Sequence, residues 1–94
     1  MSDRNHFFDE KTIDSDKWVN VPNFKFGFNA RHIIIVNDSR ENTVEFSFNG
    51  HDLDGKLYPR DKSISLDLEN QDEVYIRIPE KRSTQVRVWA WVGI

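Results

Sequence analysis

Apolar and polar residues alternate with period two along most of this chain, the spacing that sends side chains to opposite faces of an extended strand. Phe24, Phe26 and Phe28 alternate with Lys25, Gly27 and Asn29. Val44, Phe46 and Phe48 repeat the pattern, as do Ile64, Leu66 and Leu68, and then Val74, Ile76 and Ile78. Residues 83–94 alternate most regularly: Val86, Val88, Ala90 and Val92 share one face, and Arg87, Trp89 and Trp91 share the other. This stretch has something to bury on both faces. The run Ile33-Ile34-Ile35-Val36 is apolar without alternation. That pattern predicts a central strand covered on both sides.

Turn signals divide these segments. They lie at residues 39–42, at Asn49-Gly50, at Asp54-Gly55, at residues 70–72 and around residues 80–82. Residues 17–21 predict a further short strand anchored by Trp18 and ended by Pro22. About seven or eight short strands result, with no helical period, which is the pattern of an all-β fold. The expected architecture is a single antiparallel β-sandwich, jelly-roll or Ig-like, over residues 17–94. Residues 1–16 are polar apart from Phe7, Phe8 and Ile13 and predict an N-terminal arm. It is either a disordered leader or an extended piece that docks Phe7 and Phe8 on a neighbour.

Short loops suggest two hairpins. One pairs residues 31–38 with 43–49, Val36 facing Val44, though a one-residue slip is equally compatible with the pattern. The other pairs residues 73–79 with the last strand, Ile76 facing Val86, because the alternative register opposes Arg77 to Arg87. The preferred register sets Tyr75 opposite Arg87. Tyr75, Arg87, Trp89 and Trp91 would then form one aromatic and cationic outer patch.

Composition narrows the partners. The 94 residues fit one domain, and the seven Phe, three Trp and two Tyr favour strands. A net charge of −3, with no basic stripe, argues against a nucleic-acid partner. The sequence contains no cysteine, so thiol nucleophiles and Cys-ligated zinc are excluded. The first residues do not read as a signal peptide, and no apolar run is long enough to span a bilayer. A protein made in a cytoplasm, without a membrane partner, is expected.

Catalytic chemistry finds no foothold in the pattern. His6, His32 and His51 are far apart, with no second ligand at metal spacing, and are read as non-ligands. Asp52, Asp54 and Gly55 match positions 3, 5 and 6 of an EF-hand loop, but Gly50 and Asp61 spoil positions 1 and 12. The simpler reading is a turn rich in residues that tolerate positive φ. No nucleophile elbow or phosphate-binding glycine loop is present. No enzyme activity, cofactor or metal is expected. Asn37-Asp38-Ser39 matches a glycosylation acceptor, which is taken as chance. Trp89 and Trp91 have three readings: a second core layer, a subunit interface, or a flat platform for sugar rings.

Four motifs in order carry a resemblance. They are Phe46-Ser47-Phe48-Asn49-Gly50, Gly55-Lys56-Leu57, Val74-Tyr75-Ile76-Arg77 and Val86-Arg87-Val88-Trp89-Ala90-Trp91. Residues 31–94 thereby resemble small structural proteins of tailed bacteriophages, with Asn49 where that pattern has Asp and Trp89 as an additional aromatic. The resemblance implies a non-enzymatic virion protein, a capsid decoration (cement) subunit or a head or tail accessory part. Its partner would be the major capsid protein or another virion protein. A homo-oligomer is expected, with a trimer favoured. The binding residues would be Phe7, Phe8, Tyr75, Arg87, Trp89 and Trp91. The alternative is a carbohydrate- or host-surface-binding module that uses the aromatic platform.

Overall fold

The computed structural model describes residues 5–18, 20–59, 61–80 and 82–93. Six strands are formed: β1 (His6–Ile13), β2 (Phe24–Asn37), β3 (Val44–Ser47), β4 (Gly55–Leu57), β5 (Ser63–Arg77) and β6 (Thr84–Trp91). They make one antiparallel sheet in the order β1-β6-β2-β5-β3-β4. There is no helix among the described residues, and so none long and apolar enough to cross a membrane.

The strands are fewer and longer than the sequence pattern predicts. β2 runs 14 residues and fuses the Phe24–Phe28 alternation with the isoleucine run. β5 runs 15 residues straight through the expected turn at 70–72. Both fusions occur at residues with positive φ. Gly27 sits at +85° and Asn70 at +56°, and the β2–β5 register slips between Lys25 and Ala30 and again before His32. An extra residue in one strand bends the ladder and increases its twist without ending it. Gly and Asn are the residues that adopt such angles at least cost. The punctuation read as a strand end is therefore a bulge.

Beyond the bulges, β5 pairs again with β2 through Glu73 and Val74 and then takes β3 as its neighbour, with Phe46 opposite Ile76 and Glu45 opposite Arg77. The sheet bends enough for all its parts to share one core. Phe24, Phe26, Ile33 and Ile35 of β2 join Val44 and Phe46 of β3, Leu57 of β4, Val74 and Ile76 of β5, and Val86, Val88 and Ala90 of β6. Gly55 faces Phe46 across the β3–β4 ladder, and the phenyl ring lies where a Cβ on Gly55 would be.

Several expectations are corrected. Neither predicted hairpin forms: β2 lies between β6 and β5, and β6 lies between β1 and β2. Short loops suggested local pairing, but long-range pairing gives the isoleucine run a neighbour on each edge. Tyr75 therefore faces Ser47 rather than Arg87. Residues 17–21 contain no strand among those described; Val19 lies outside them. The expected arm contributes β1, paired with β6 along its whole length, while residues 1–4 lie outside the described set. Phe7 supplies the reason. It turns inward opposite Ala90 and packs its ring on Phe26 at 5.1 Å and Phe24 at 6.5 Å.

Candidate binding face

The outer face of the sheet follows from the registers. Reading across β1, β6, β2 and β5, one row is His6, Trp91, His32 and Asp67. The next is Phe8, Trp89, Ile34 and Ser65, and the third is Glu10, Arg87, Val36 and Ser63. Aromatic and aliphatic side chains thus occupy the middle of the face, and polar ones its margins. Both tryptophans are half-buried, while Phe8 remains 51% exposed.

Lateral contacts hold these rings in place. Phe8 lies 4.7 Å from Trp89, tilted by 42°. His32 stacks on Trp91 at 5.4 Å and 24°, and its Nδ1 lies 2.9 Å from Asp67 Oδ1. Cross-strand aromatic pairs of this kind fix ring orientation and contribute roughly 0.5–1.5 kcal/mol each beyond burial. Arg87 donates from Nε and Nη2 to the two carboxylate oxygens of Asp38, both at 2.8 Å. This two-point hydrogen bond, opposed in part by desolvation, raises the Arg87 pKa further, so the guanidinium stays charged. It also lies 5.4 Å from the Trp89 ring, within cation–π reach. A groove of about 550 Å³ runs beside Trp91 and is lined by Asn5, His6, His32 and Gly93.

Of the residues expected in a binding patch, Phe8, Arg87, Trp89 and Trp91 come together on this face. Phe7 does not, because it is directed into the core side. Tyr75 is a second departure. It sits on the β3 side of the bend with its ring against Gly50. Burial there, with Glu73 close by, raises the phenol pKa.

His32, Ile34, Val36, Asp38 and Asp67 lie on or beside this face and are not among the binding residues expected from the sequence. The uninterrupted run that contains Ile34 and Val36 was the available signal: in a central strand every second residue must appear on the face opposite the core. Asp67 carried no signal, since its approach to His32 depends on the bulge-shifted β2–β5 register.

The Asp-rich loop uses its side chains on its own backbone. Asp54 Oδ2 accepts from Phe48 N at 2.8 Å, Asn49 Oδ1 accepts from Asp52 N at 2.9 Å, and Asp61 Oδ2 accepts from Tyr58 N at 3.1 Å. Among the described residues, no three His, Cys, Asp or Glu side chains are grouped to hold a metal ion.

No family model matches the chain, and no curated protein matches its sequence.

Proposed function

We propose that this protein is a non-catalytic assembly subunit and that the outer face of β1, β6 and β2 is its contact surface. One observation carries the reading: Phe8, Trp89, Trp91, Ile34 and Val36 form a continuous apolar patch on a sheet face, edged by Arg87. Trp, Phe and Arg are enriched in protein interfaces, and a patch of apolar residues with a polar margin is the usual interface anatomy. The stacked His32 ring and the tilted Phe8 ring order the indoles before any partner arrives, which lowers the entropic cost of binding.

The bent sheet, closing a core between its two ends, would act as a small β-sandwich that displays this face. The partner class comes from the sequence resemblance alone: a major capsid protein or another virion protein of a tailed phage, with the chain decorating or stabilising the head. Many copies on a lattice would add modest contacts into strong retention.

The proposal requires the gene to lie in a phage genome, and the test is proteomic analysis and immuno-electron microscopy of virions of that phage; a gene outside any phage or prophage would overturn it. The expected result is the protein in purified virions, and its loss from them when Trp89→Ala and Trp91→Ala are combined in a chain that still folds by circular dichroism. Production of the protein during infection without its appearance in virions would sink the proposal. A second reading, carbohydrate binding, draws on the groove beside Trp91. It predicts a change in tryptophan fluorescence on titration with oligosaccharides, and a flat response across a broad panel removes it.

A further inference from the structure

The outer edge of β1 adjoins the aromatic face and shares Phe8 with it. Among the described residues, β1 ends the sheet and pairs only with β6. Val92 N donates to Asn5 O at 3.1 Å, which continues the β1–β6 register by one pair. In an antiparallel ladder the peptide groups of successive residues point alternately toward and away from the neighbour. Residues 5, 7, 9, 11 and 13 therefore turn their N–H and C=O groups to β6. His6, Phe8, Glu10 and Thr12 turn theirs to the open edge. Glu10 bears this out, since its N–H meets Asp9 Oδ1 at 2.9 Å rather than β6, a local bond that the His6 C=O of an added strand would replace. Such a row of peptide groups is a template for another strand.

We propose that β1 of a second copy of this chain takes that place, antiparallel, on a two-fold axis through Phe8. The edge groups restrict the choice. Residues with even numbers must pair with one another, so the axis passes through a residue rather than between two. An axis at Asp9 opposes Asp9 to Asp9 of the second copy. An axis at Glu10 opposes two glutamates. Directly opposed like charges are destabilising in a sheet. An axis at Phe8 sets His6 against Glu10 of the second copy, twice by symmetry. On the core side it sets Asp9 against Phe7 and Lys11 against Asn5, so no like charges meet. Asp9 and Lys11 are side chains that discourage indiscriminate edge pairing, and this register accommodates both. It also joins the outer-face rows into Trp89–Phe8–Phe8–Trp89 across the axis, which covers the exposed ring of Phe8.

The pairing uses the backbone of β1 and does not rest on the proposed function; Trp89→Ala with Trp91→Ala leaves this dimer in place. Because the chain has no cysteine, single cysteines report the register directly. Paired Cα atoms at an axis on residue 8 would be about 5.5 Å apart, within disulfide reach. The two copies of residue 10 would be separated by roughly 13 Å.

Light scattering on the unsubstituted chain should give twice its 11.2 kDa mass. Mild oxidation should cross-link Phe8→Cys and leave Glu10→Cys uncross-linked. A monomer, a trimer, or cross-linking at residue 10 instead of 8 overturns the proposal. If Phe8→Cys does not fold, amide exchange in the unsubstituted protein decides. Slow exchange of the Phe8 N–H supports the pairing, and exchange at the rate of an open edge refutes it.

Discussion

Arg77 donates from Nε to Glu45 Oε1 at 2.7 Å across the β3–β5 ladder, where the Glu45 side chain is only 8% exposed. Lys56 approaches the same carboxylate from β4 at 3.5 Å, and the Trp18 ring lies 4.0 Å from the Arg77 guanidinium. The carboxylate is thus held by a cation from each neighbouring strand. Removing one partner of a buried pair leaves an uncompensated charge, at a cost of about 3–5 kcal/mol. Lys56 is half exposed and remains, so Arg77→Ala should cost roughly 3 kcal/mol, the lower end of that range. Glu45→Gln should cost less, because an amide needs no counter-charge. Urea denaturation of the two variants checks the order; equal midpoints would contradict it.

Gly27 and Gly55 are required for different reasons, and alanine separates them. A Cβ on Gly27 meets nothing within 4 Å, but φ is +85°. Gly27→Ala should therefore cost about 1–2 kcal/mol from the backbone alone, whatever its neighbours. Gly55 lies beneath the Phe46 ring without needing positive φ. Gly55→Ala should cost about 1–3 kcal/mol through overpacking. Trimming the ring with Phe46→Leu should relieve part of that second penalty and none of the first. A double-mutant cycle measures the coupling; additive behaviour of Gly55→Ala with Phe46→Leu would show that the ring is not the obstacle.

What the sequence revealed was local. The period of two placed Phe24, Phe26, Val86 and Val88 in the core, and each is fully buried. It also separated Trp89 and Trp91 from that core side. Pairing was not legible, because the alternation in Val74, Ile76 and Ile78 is satisfied equally by β3 or β6 as a neighbour. Asn70-Gln71-Asp72 was read as a turn because turns and bulges use the same residues for the same positive φ. β1 was missed for a related reason. It has only Phe7 and Ile13 as inward apolar residues, and an edge strand exposes enough of its surface to read as a polar arm.

Tyr75 should make stability depend on alkaline pH. Burial of the phenol, together with the charge of Glu73, raises its pKa above the ordinary 10.0. The fold favours the neutral phenol, so this contribution is complete below the unfolded value. It is lost as pH climbs through that value and the raised one. The urea midpoint of the unsubstituted protein should fall more steeply from about pH 9 to about pH 11 than that of Tyr75→Phe. Parallel curves would show that the phenol environment is the same in both states.

Asn37 ties three strands together at the end of β2. It is 2% exposed, and its Nδ2 donates to Asn42 O at 2.7 Å and approaches Leu57 O at 3.4 Å, while its Oδ1 accepts from Ser39 N at 3.0 Å. Asn42 extends the network by donating from Nδ2 to Thr84 Oγ1 at 2.6 Å. The end of β2 is thereby fixed to the chain before β3, to β4 and, through Asn42, to β6. The glycosylation motif at Asn37 cannot be used in the folded chain, since the amide nitrogen that would carry a sugar is buried and engaged. Thr84→Val keeps the shape and removes the acceptor, leaving the Asn42 donor with only Ser83 O at 3.2 Å. It should cost about 1–3 kcal/mol, the desolvation penalty of a poorly paired buried group. Asn37→Ala should cost more, because it strips partners from several backbone groups at once. Because both residues act in one network, combining the two changes should cost less than their sum. Strict additivity in thermal unfolding would mean that Asn42 does not couple them.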